Sequence, residues 1–483
     1  MTSVVTRTLS SLLILSALLA TAPIVANATT PDLYAKSFQD IHAPGTAIIE
    51  FNSDGITREQ YFGIDGDGFP ITQDTPFVWG ALSQSITAAI ALKLHNDGAL
   101  DLHDPIVNHL PELASSALDA NHVEIAHLIQ HTAGLPTNLA HSVATVDELL
   151  KHVADLEHIT PPGTHNYSNI GYSLLQEILT RSTNQEFSTL VHQHIDLVCG
   201  SGPTISDSET FHARVPKGHQ PFFFTHKSTT VEPWPISFGV AYLSGSGQQF
   251  AAYAVWQLQQ HQRSLHNPLT HAQVSDNLKY GPGLHYKQVR LTDGTSAEYV
   301  YHTGSVWGYT SYVGFIPKTN RGIIIFTNEL GIRTQYDTQR RNAIHTLVSH
   351  SLDIDEPQKP KLFPADTLVL AAEFVVIALL FGALAFQIKR WSPNTPPTDP
   401  KHAFRRTAFP LFAGTCAALA LFYGVPFVYG HQFDEISIGA PDVFALFCTI
   451  MVQIHLLTAL AVLREIIAAR RLSRSQHLAL QTS

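Results

Sequence analysis

A chain of 483 residues is too long for one ordinary domain, and 14% charged against 45% hydrophobic residues places part of it in lipid. The net charge of −10, with no arginine stripe in the globular part, argues against a nucleic-acid partner. Three cysteines, of which Cys416 and Cys448 fall in apolar runs, leave no disulfide framework, and a domain of this size needs none. The 27 histidines are scattered singly (His103, His109, His127, His152, His158) without ligand spacing; His192 and His194 are two apart and would share a face or clip a metal on a strand but diverge on a helix, and neither a metal nor a cofactor is expected.

In chain order, residues 1–28 read as a secretory signal: Arg7, an apolar run, then Ala26-Asn27-Ala28 as a small-x-small cleavage site. Residues 29–356 read as one globular domain. Within it Gly45 to Phe51 and a strand ending at Phe62 form a hairpin about a turn at Asn52 to Gly55. The stretch TPFVWGALSQSITAAIALKLHNDGALDL, Thr75 to Leu102, follows. It has apolar residues at helical spacing (Ile86, Ala89, Ile90, Leu94), ends at Asn96-Asp97-Gly98, and predicts a buried helix of about five turns.

A short helix is expected over Glu124 to His131, stopped by Thr132 to Pro136. A strongly periodic helix is expected over Ile170 to Arg181, with Leu174, Leu175 and Ile178 on one face. Tyr301 to Gly304, Tyr309 to Ile316 and Gly322 to Thr327 read as strands, the last two joined by Pro317-Lys318-Thr319-Asn320. Helices between strands at both ends point to an α/β or α+β layered domain whose first and last strands are neighbours in one antiparallel sheet.

Residues 357–366 form a Pro/Lys linker, and apolar runs at 367–388, 408–429 and 443–463 are each long enough to span a bilayer. Lys389, Arg390, Lys401, Arg405 and Arg406 flank the first loop and Arg464, Arg470, Arg471 and Arg474 begin the tail, 464–483, whereas the intervening loop holds Asp434, Glu435 and Asp442. The positive-inside rule then puts the C-terminus in the cytoplasm and the globular domain outside the cell membrane, as the signal does independently. Glu373 lies in the first run, where the outer interface is the expected place for it.

Several short motifs occur in one order: Gly80-Ala81-Leu82-Ser83-Gln84-Ser85 opening the long helix, Asn96-Asp97-Gly98-Ala99-Leu100-Asp101-Leu102-His103-Asp104-Pro105 after it, His131-Thr132-Ala133-Gly134-Leu135, Tyr167-Ser168-Asn169, and His302-Thr303-Gly304. Over most of residues 40–350 this resembles the serine β-lactamase and penicillin-binding-protein superfamily, including its class C-like esterases and peptidases. The resemblance implies an antiparallel sheet flanked by helices plus a helical subdomain. It also implies an S-x-x-K motif on the long helix, in which lysine removes the proton of a serine one turn away and the serine attacks a carbonyl.

The aligned positions are Ala81 and Gln84, a methyl that is no nucleophile and an amide that is no base. Frame shifts do not help, because Ile86 stands three residues after Ser83 and Ala88 three after Ser85, and Lys93 is roughly 15 Å along the helix from Ser83. By the same resemblance Tyr167 stands for the proton-relaying hydroxyl, Asn169 for the substrate-orienting amide and His302 for the cation or polar group on the sheet edge. Thr303, Gly304 and Ser305 complete the ligand-binding candidates, and the amides of Ala81 and Ser305 stand for the oxyanion donors.

Relatives commonly carry an acid where this chain has Gln249, and a serine where it has Ala133. The reading is a membrane-held pseudoenzyme that binds a cell-wall peptide, a D-amino-acid-type ligand offering a carbonyl or carboxylate, or an envelope protein. The rivals are a hydrolase using Ser83, Ser85 or Tyr167 as nucleophile, and a sensor domain for a membrane signalling or transport unit.

Overall fold

The computed structural model describes residues 33–355 apart from short breaks at 42, 121, 138–142, 157–159, 264–268 and 336–337, together with parts of 371–426 and all of 433–481. The signal at 1–28 and the linker at 357–366 lie outside the described residues, as does Glu373.

Helix α1 (Leu33–Ile41) leads into the predicted hairpin, β1 (Gly45–Asn52) and β2 (Gly55–Gly63). After β2 come a two-residue strand β3 (Phe77–Val78), helix α2 (Leu82–Asn96), helix α3 (Asn169–Thr183), the hairpin β4 (Gly218–Phe222) and β5 (Thr225–Thr229), and β6 (Ser244–Gly245). Helix α4 (Gly247–Gln262) precedes β7 (Ala272–Ser275), β8 (Leu278–Gly281), β9 (Leu284–Arg290), β10 (Ser296–Val306), β11 (Tyr309–Ile316) and β12 (Arg321–Thr327). Helix α5 (Thr338–Ser351) closes the domain, and α6 (Pro441–Gln481) follows.

Eight strands form one antiparallel sheet in the order β2-β1-β12-β11-β10-β9-β8-β7, so the first strand of the domain does lie beside the last, with Ile48 opposite Ile325. Period-two alternation splits the apolar residues between two layers. Ala47, Ile49, Phe51, Ile324 and Phe326 face the large core under α2, α3 and α4, whereas Ile48, Ile323 and Ile325 face a smaller core that includes Tyr34 of α1 and Leu347 and Val348 of α5. Leu174, Leu175 and Ile178 of α3 are fully buried, as their spacing predicts.

The long helix is shorter than the sequence suggests. Phe77 and Val78 pair with Gly245 and Ser244, so α2 begins only after Gly80 and runs 15 residues rather than five turns. Its C-terminus is a Schellman motif, Ala99 N–H to the Leu94 carbonyl and Gly98 N–H to the His95 carbonyl, with Gly98 at φ 75°. Because α2 is buried on nearly every side as far as Ala91, it carries small and apolar residues where an amphipathic helix would be polar.

Among the described residues one helix is long and apolar enough to cross a membrane, Pro441–Arg464, which contains the third predicted run. The runs at 367–388 and 408–429 are described only in part. Among the described residues, then, one such helix is found where the sequence predicts three.

Candidate functional site

The site is built where the start of α2 meets strand β10. Gly80 takes φ 56°, and a Cβ there would stand 2.5 Å from the backbone nitrogen of Ser305, so only glycine lets the two segments approach. A Cβ on Gly304 would likewise meet the Trp79 carbonyl oxygen at 2.4 Å and the Ala81 nitrogen at 2.8 Å. Ser311 on β11 donates its hydroxyl to the same Trp79 carbonyl at 2.6 Å and fastens the turn to the sheet. The backbones of Ala81 and Ser305 are thereby held at one mouth, with Ala81 at the N-cap position of α2.

One turn into the helix, Gln84 is 0% exposed and sits at the centre of a polar cluster. Its Nε2 donates to Tyr167 Oη at 2.7 Å and to Asn169 Oδ1 at 3.2 Å, while its Oε1 accepts from His131 Nε2 at 3.1 Å and from Tyr280 Oη at 3.3 Å. A carboxamide offers two N–H donors and two lone pairs, and all four are used. The orientation of the amide follows from its neighbours. Ser168 N–H donates to His131 Nδ1 at 3.1 Å, which leaves the proton of a neutral ring on Nε2, so the group facing it must be the amide oxygen.

Ser168 performs a second task between the two site residues that flank it: its hydroxyl caps α3 by accepting from Gly171 N–H at 3.3 Å. Turn chemistry and site geometry therefore coincide at Tyr167 to Asn169, and the cap aims both neighbours at Gln84.

No member of the cluster is charged at neutral pH. His302 is buried, its Nδ1 donates to the Thr303 carbonyl at 2.7 Å, and burial pushes its imidazole down to about 4 despite that bond. His285, stacked on His302 with ring centroids 5.1 Å apart, is pushed down to about 3 by burial and then by His302 and His165. His131 is packed against Tyr167, Tyr172 and Tyr280, and burial followed by the neighbouring histidines holds it well below its ordinary value. Burial pushes the Tyr167 phenol up, so it stays protonated. His302 is thus a neutral polar group on the sheet edge and not a cation.

The sequence candidates are sorted accordingly. Tyr167, Asn169 and Gln84 are in direct contact, and the bare Nε2 of His302, 3.4 Å from the Tyr280 hydroxyl, competes with the Gln84 oxygen for its one proton. Gly304 serves by having no side chain. Thr303 and Ser305 share the alternation of Tyr299, whose ring lies in the small core, so their side chains point away from Gln84, and they line a cavity of about 390 Å³ bounded by Ile344 and Val348 of α5.

Ser83 and Ser85 are buried off the mouth: Ser83 Oγ has no hydrogen-bond partner and Ser85 Oγ donates to the Leu82 carbonyl at 2.7 Å. Lys93 pairs with Asp97 at 2.6 Å on the surface. Gln249, standing where an acid is common, closes a capping box with Ser246, whose N–H it accepts at 2.7 Å, so the helix start survives the substitution.

Sequence reasoning missed two members of the cluster, His131 as a side chain and Tyr280 altogether. Their partner Gln84 lies 47 and 196 residues away; His131 opens the His131–Leu135 motif, which marks the turn and not the side chain's role, and no local pattern marks Tyr280.

A profile of the β-lactamase family matches residues 32–347. A β-lactamase of Pseudomonas fluorescens is 24% identical over 352 residues, covering 64% of this chain and 94% of that protein. Penicillin-binding protein 4 of Amycolatopsis lactamdurans is 27% identical over 204 residues, covering 40% of this chain and 52% of the relative. Among solved structures, a β-lactamase/D-alanine carboxypeptidase from Pseudomonas syringae superposes with a TM-score of 0.54 at 19% identity, covering 67% of this chain and 98% of the other. A class C β-lactamase from Rhodobacter sphaeroides gives the same TM-score and identity over 66% and 97%. The match over residues 32–347, with the fold and the order of motifs, shows that the chain belongs to the β-lactamase family, within the serine β-lactamase and penicillin-binding-protein superfamily.

Proposed function

We propose that this chain is a membrane-anchored pseudoenzyme that holds its β-lactamase-type domain outside the cytoplasm and uses the cleft to bind rather than to hydrolyse. One observation carries the reading: the positions for nucleophile and base hold the methyl of Ala81 and a buried amide at Gln84 whose four hydrogen-bonding valences are all taken inside the protein. Loss of the nucleophile in a serine hydrolase costs on the order of a millionfold in turnover, and no neighbouring group among the described residues substitutes for it. Ser83 and Ser85 are buried, and burial holds Tyr167 protonated, with no cation beside it among the described residues.

What the cleft retains is its shape, the backbone N–H groups of Ala81 and Ser305, and the positive end of α2. These suit a carbonyl or carboxylate oxygen, as on a cell-wall stem peptide or its D-amino-acid terminus, or an envelope protein presenting one. The helix Pro441–Arg464 supports anchoring, and the charge distribution along the sequence supports three spans with a cytoplasmic C-terminus.

The test is turnover and binding by one preparation of the full chain in detergent. The expected result is no hydrolysis of nitrocefin or p-nitrophenyl esters above a heat-denatured control, with saturable calorimetric binding of a peptide ending in D-alanyl-D-alanine. Heat-labile turnover of either reagent would overturn the pseudoenzyme reading.

A further inference from the structure

The hairpin of β4 and β5 ends in three consecutive phenylalanines. Phe222 pairs with Thr225, leaving Phe223 and Phe224 as the two-residue turn. Turns of this length favour glycine or asparagine where φ is positive, yet Phe223 takes φ 53°, at a strain cost of order 1–3 kcal/mol. Phe224 is 80% exposed. A bulky ring in a strained turn and a second ring in the open are unfavourable in water, and the surroundings show what offsets them.

The backbone of the turn is tied to the start of α6. Phe223 N–H donates to Asp442 Oδ2 at 2.7 Å, and the Phe223 carbonyl accepts from Arg333 Nη1 at 3.1 Å. Arg333 Nη1 in turn pairs with Asp442 Oδ2 at 2.6 Å, the two side chains being 9% and 0% exposed. The same carboxylate accepts from Val443 N–H at 2.9 Å, at the first turn of the apolar helix. The tip is therefore held level with the point where that helix begins.

Its rings continue the helical apolar surface. The Phe223 and Phe224 centroids lie 5.7 and 6.1 Å from that of Phe374, which belongs to the first apolar run, next to exposed Val375 and Leu379. Two pairs behind Phe222 and Thr225, exposed Lys227, opposite Gln220, lies with Nζ 5.9 Å from the centre of the Phe222 ring and puts a cation behind the apolar tip. The base of the hairpin abuts the rim of the cleft: a Cβ on Gly218 would stand 2.3 Å from the Gly308 carbonyl oxygen, in the turn that follows β10.

We propose that the Phe222–Phe224 tip dips into the outer interface of the bilayer beside the anchoring helices, and so holds the mouth formed by Ala81 and Ser305 at a set height above the lipid. The proposal rests on the membrane-anchored reading. The occupant it commits to is a lipid surface, because the tip is exposed, apolar, backed by a cation, and continuous with helix faces suited to lipid and not to water.

The test uses the full chain in phosphatidylethanolamine and phosphatidylglycerol vesicles, with Cys199, Cys416 and Cys448 replaced by serine and a nitroxide attached through Phe224→Cys, Leu456→Cys or Leu197→Cys. All three positions are exposed. Collisional relaxation by oxygen and by a water-soluble nickel chelate is read at each. The expected result is an oxygen-to-nickel accessibility ratio at 224 that resembles 456 and exceeds 197 several-fold. A ratio at 224 equal to that at 197, with 456 in lipid, would overturn the dipping tip and leave the anchor standing. A water-like ratio at 456 as well would overturn both.

Discussion

Replacing Gln84 by leucine keeps the volume of the side chain and removes its four hydrogen bonds, so the change reads the worth of the cluster itself. The largest expected cost is at His131, whose Nε2–H points at the Gln84 oxygen inside a ring of tyrosines and would meet a methyl instead. A buried donor stranded in this way costs about 1–3 kcal/mol. Tyr280 loses less, because its hydroxyl can turn fully to His302 Nε2 at 3.4 Å. Tyr167 and Asn169 are only half-buried and can recruit water. The net loss is therefore about 2 kcal/mol, or a fall in Tm of roughly 4–8 °C for a domain of a few hundred residues.

Near-ultraviolet circular dichroism during thermal unfolding of the full chain in detergent would measure it. A cycle with His131→Phe isolates the cause, since in that background no imidazole N–H remains to be stranded and Gln84→Leu should cost about 1–2 kcal/mol less. A Gln84→Leu variant as stable as the parent, or an equal cost in both backgrounds, would refute the saturated-amide account.

Acid should loosen the same cluster: below the ordinary histidine value of 6.5 the unfolded chain takes up protons that His302, held near 4, refuses. Stability is then full above pH 6.5 and falls progressively between 6.5 and 4, by roughly 3 kcal/mol for His302 alone, which a pH series of Tm values would show. Ser83→Ala should raise stability by about 1 kcal/mol in the same assay, because the buried hydroxyl it removes has no partner. Gly80→Ala puts a Cβ 2.5 Å from Ser305 N at a positive φ and should cost more than about 1 kcal/mol, while abolishing calorimetric ligand binding at the mouth. Asp442→Ala leaves the Arg333 guanidinium buried without its carboxylate and should destabilise by about 3–5 kcal/mol, read as increased proteolysis between the domain and α6.

The hairpin β1–β2, helix α3 and the strands β11 and β12 were legible because each carries its own periodicity and its own turn residues within a dozen positions. The start of α2 was not, because what makes Phe77 and Val78 a strand is pairing with Ser244 and Gly245, far along the chain. At the site, the motifs located Tyr167, Asn169 and His302 and placed Ala81 and Gln84 where the resemblance implies a nucleophile and a base. They could not show what Gln84 does instead, since its oxygen is held by His131, which the motifs mark only as part of a turn, and by Tyr280, which no local pattern marks. Thr303 shows the reverse case: period two along β10 predicts that it faces away from His302, and a motif read as a unit hides that alternation.

The most direct test of the central claim is the intact mass of the full chain after prolonged exposure to excess penicillin. With a methyl at 81 and a saturated amide at 84, the mass should be unchanged and identical to that of a sample never exposed. A stoichiometric adduct of one penicillin, mapping after digestion to Ser83, Ser85 or Tyr167, would contradict it.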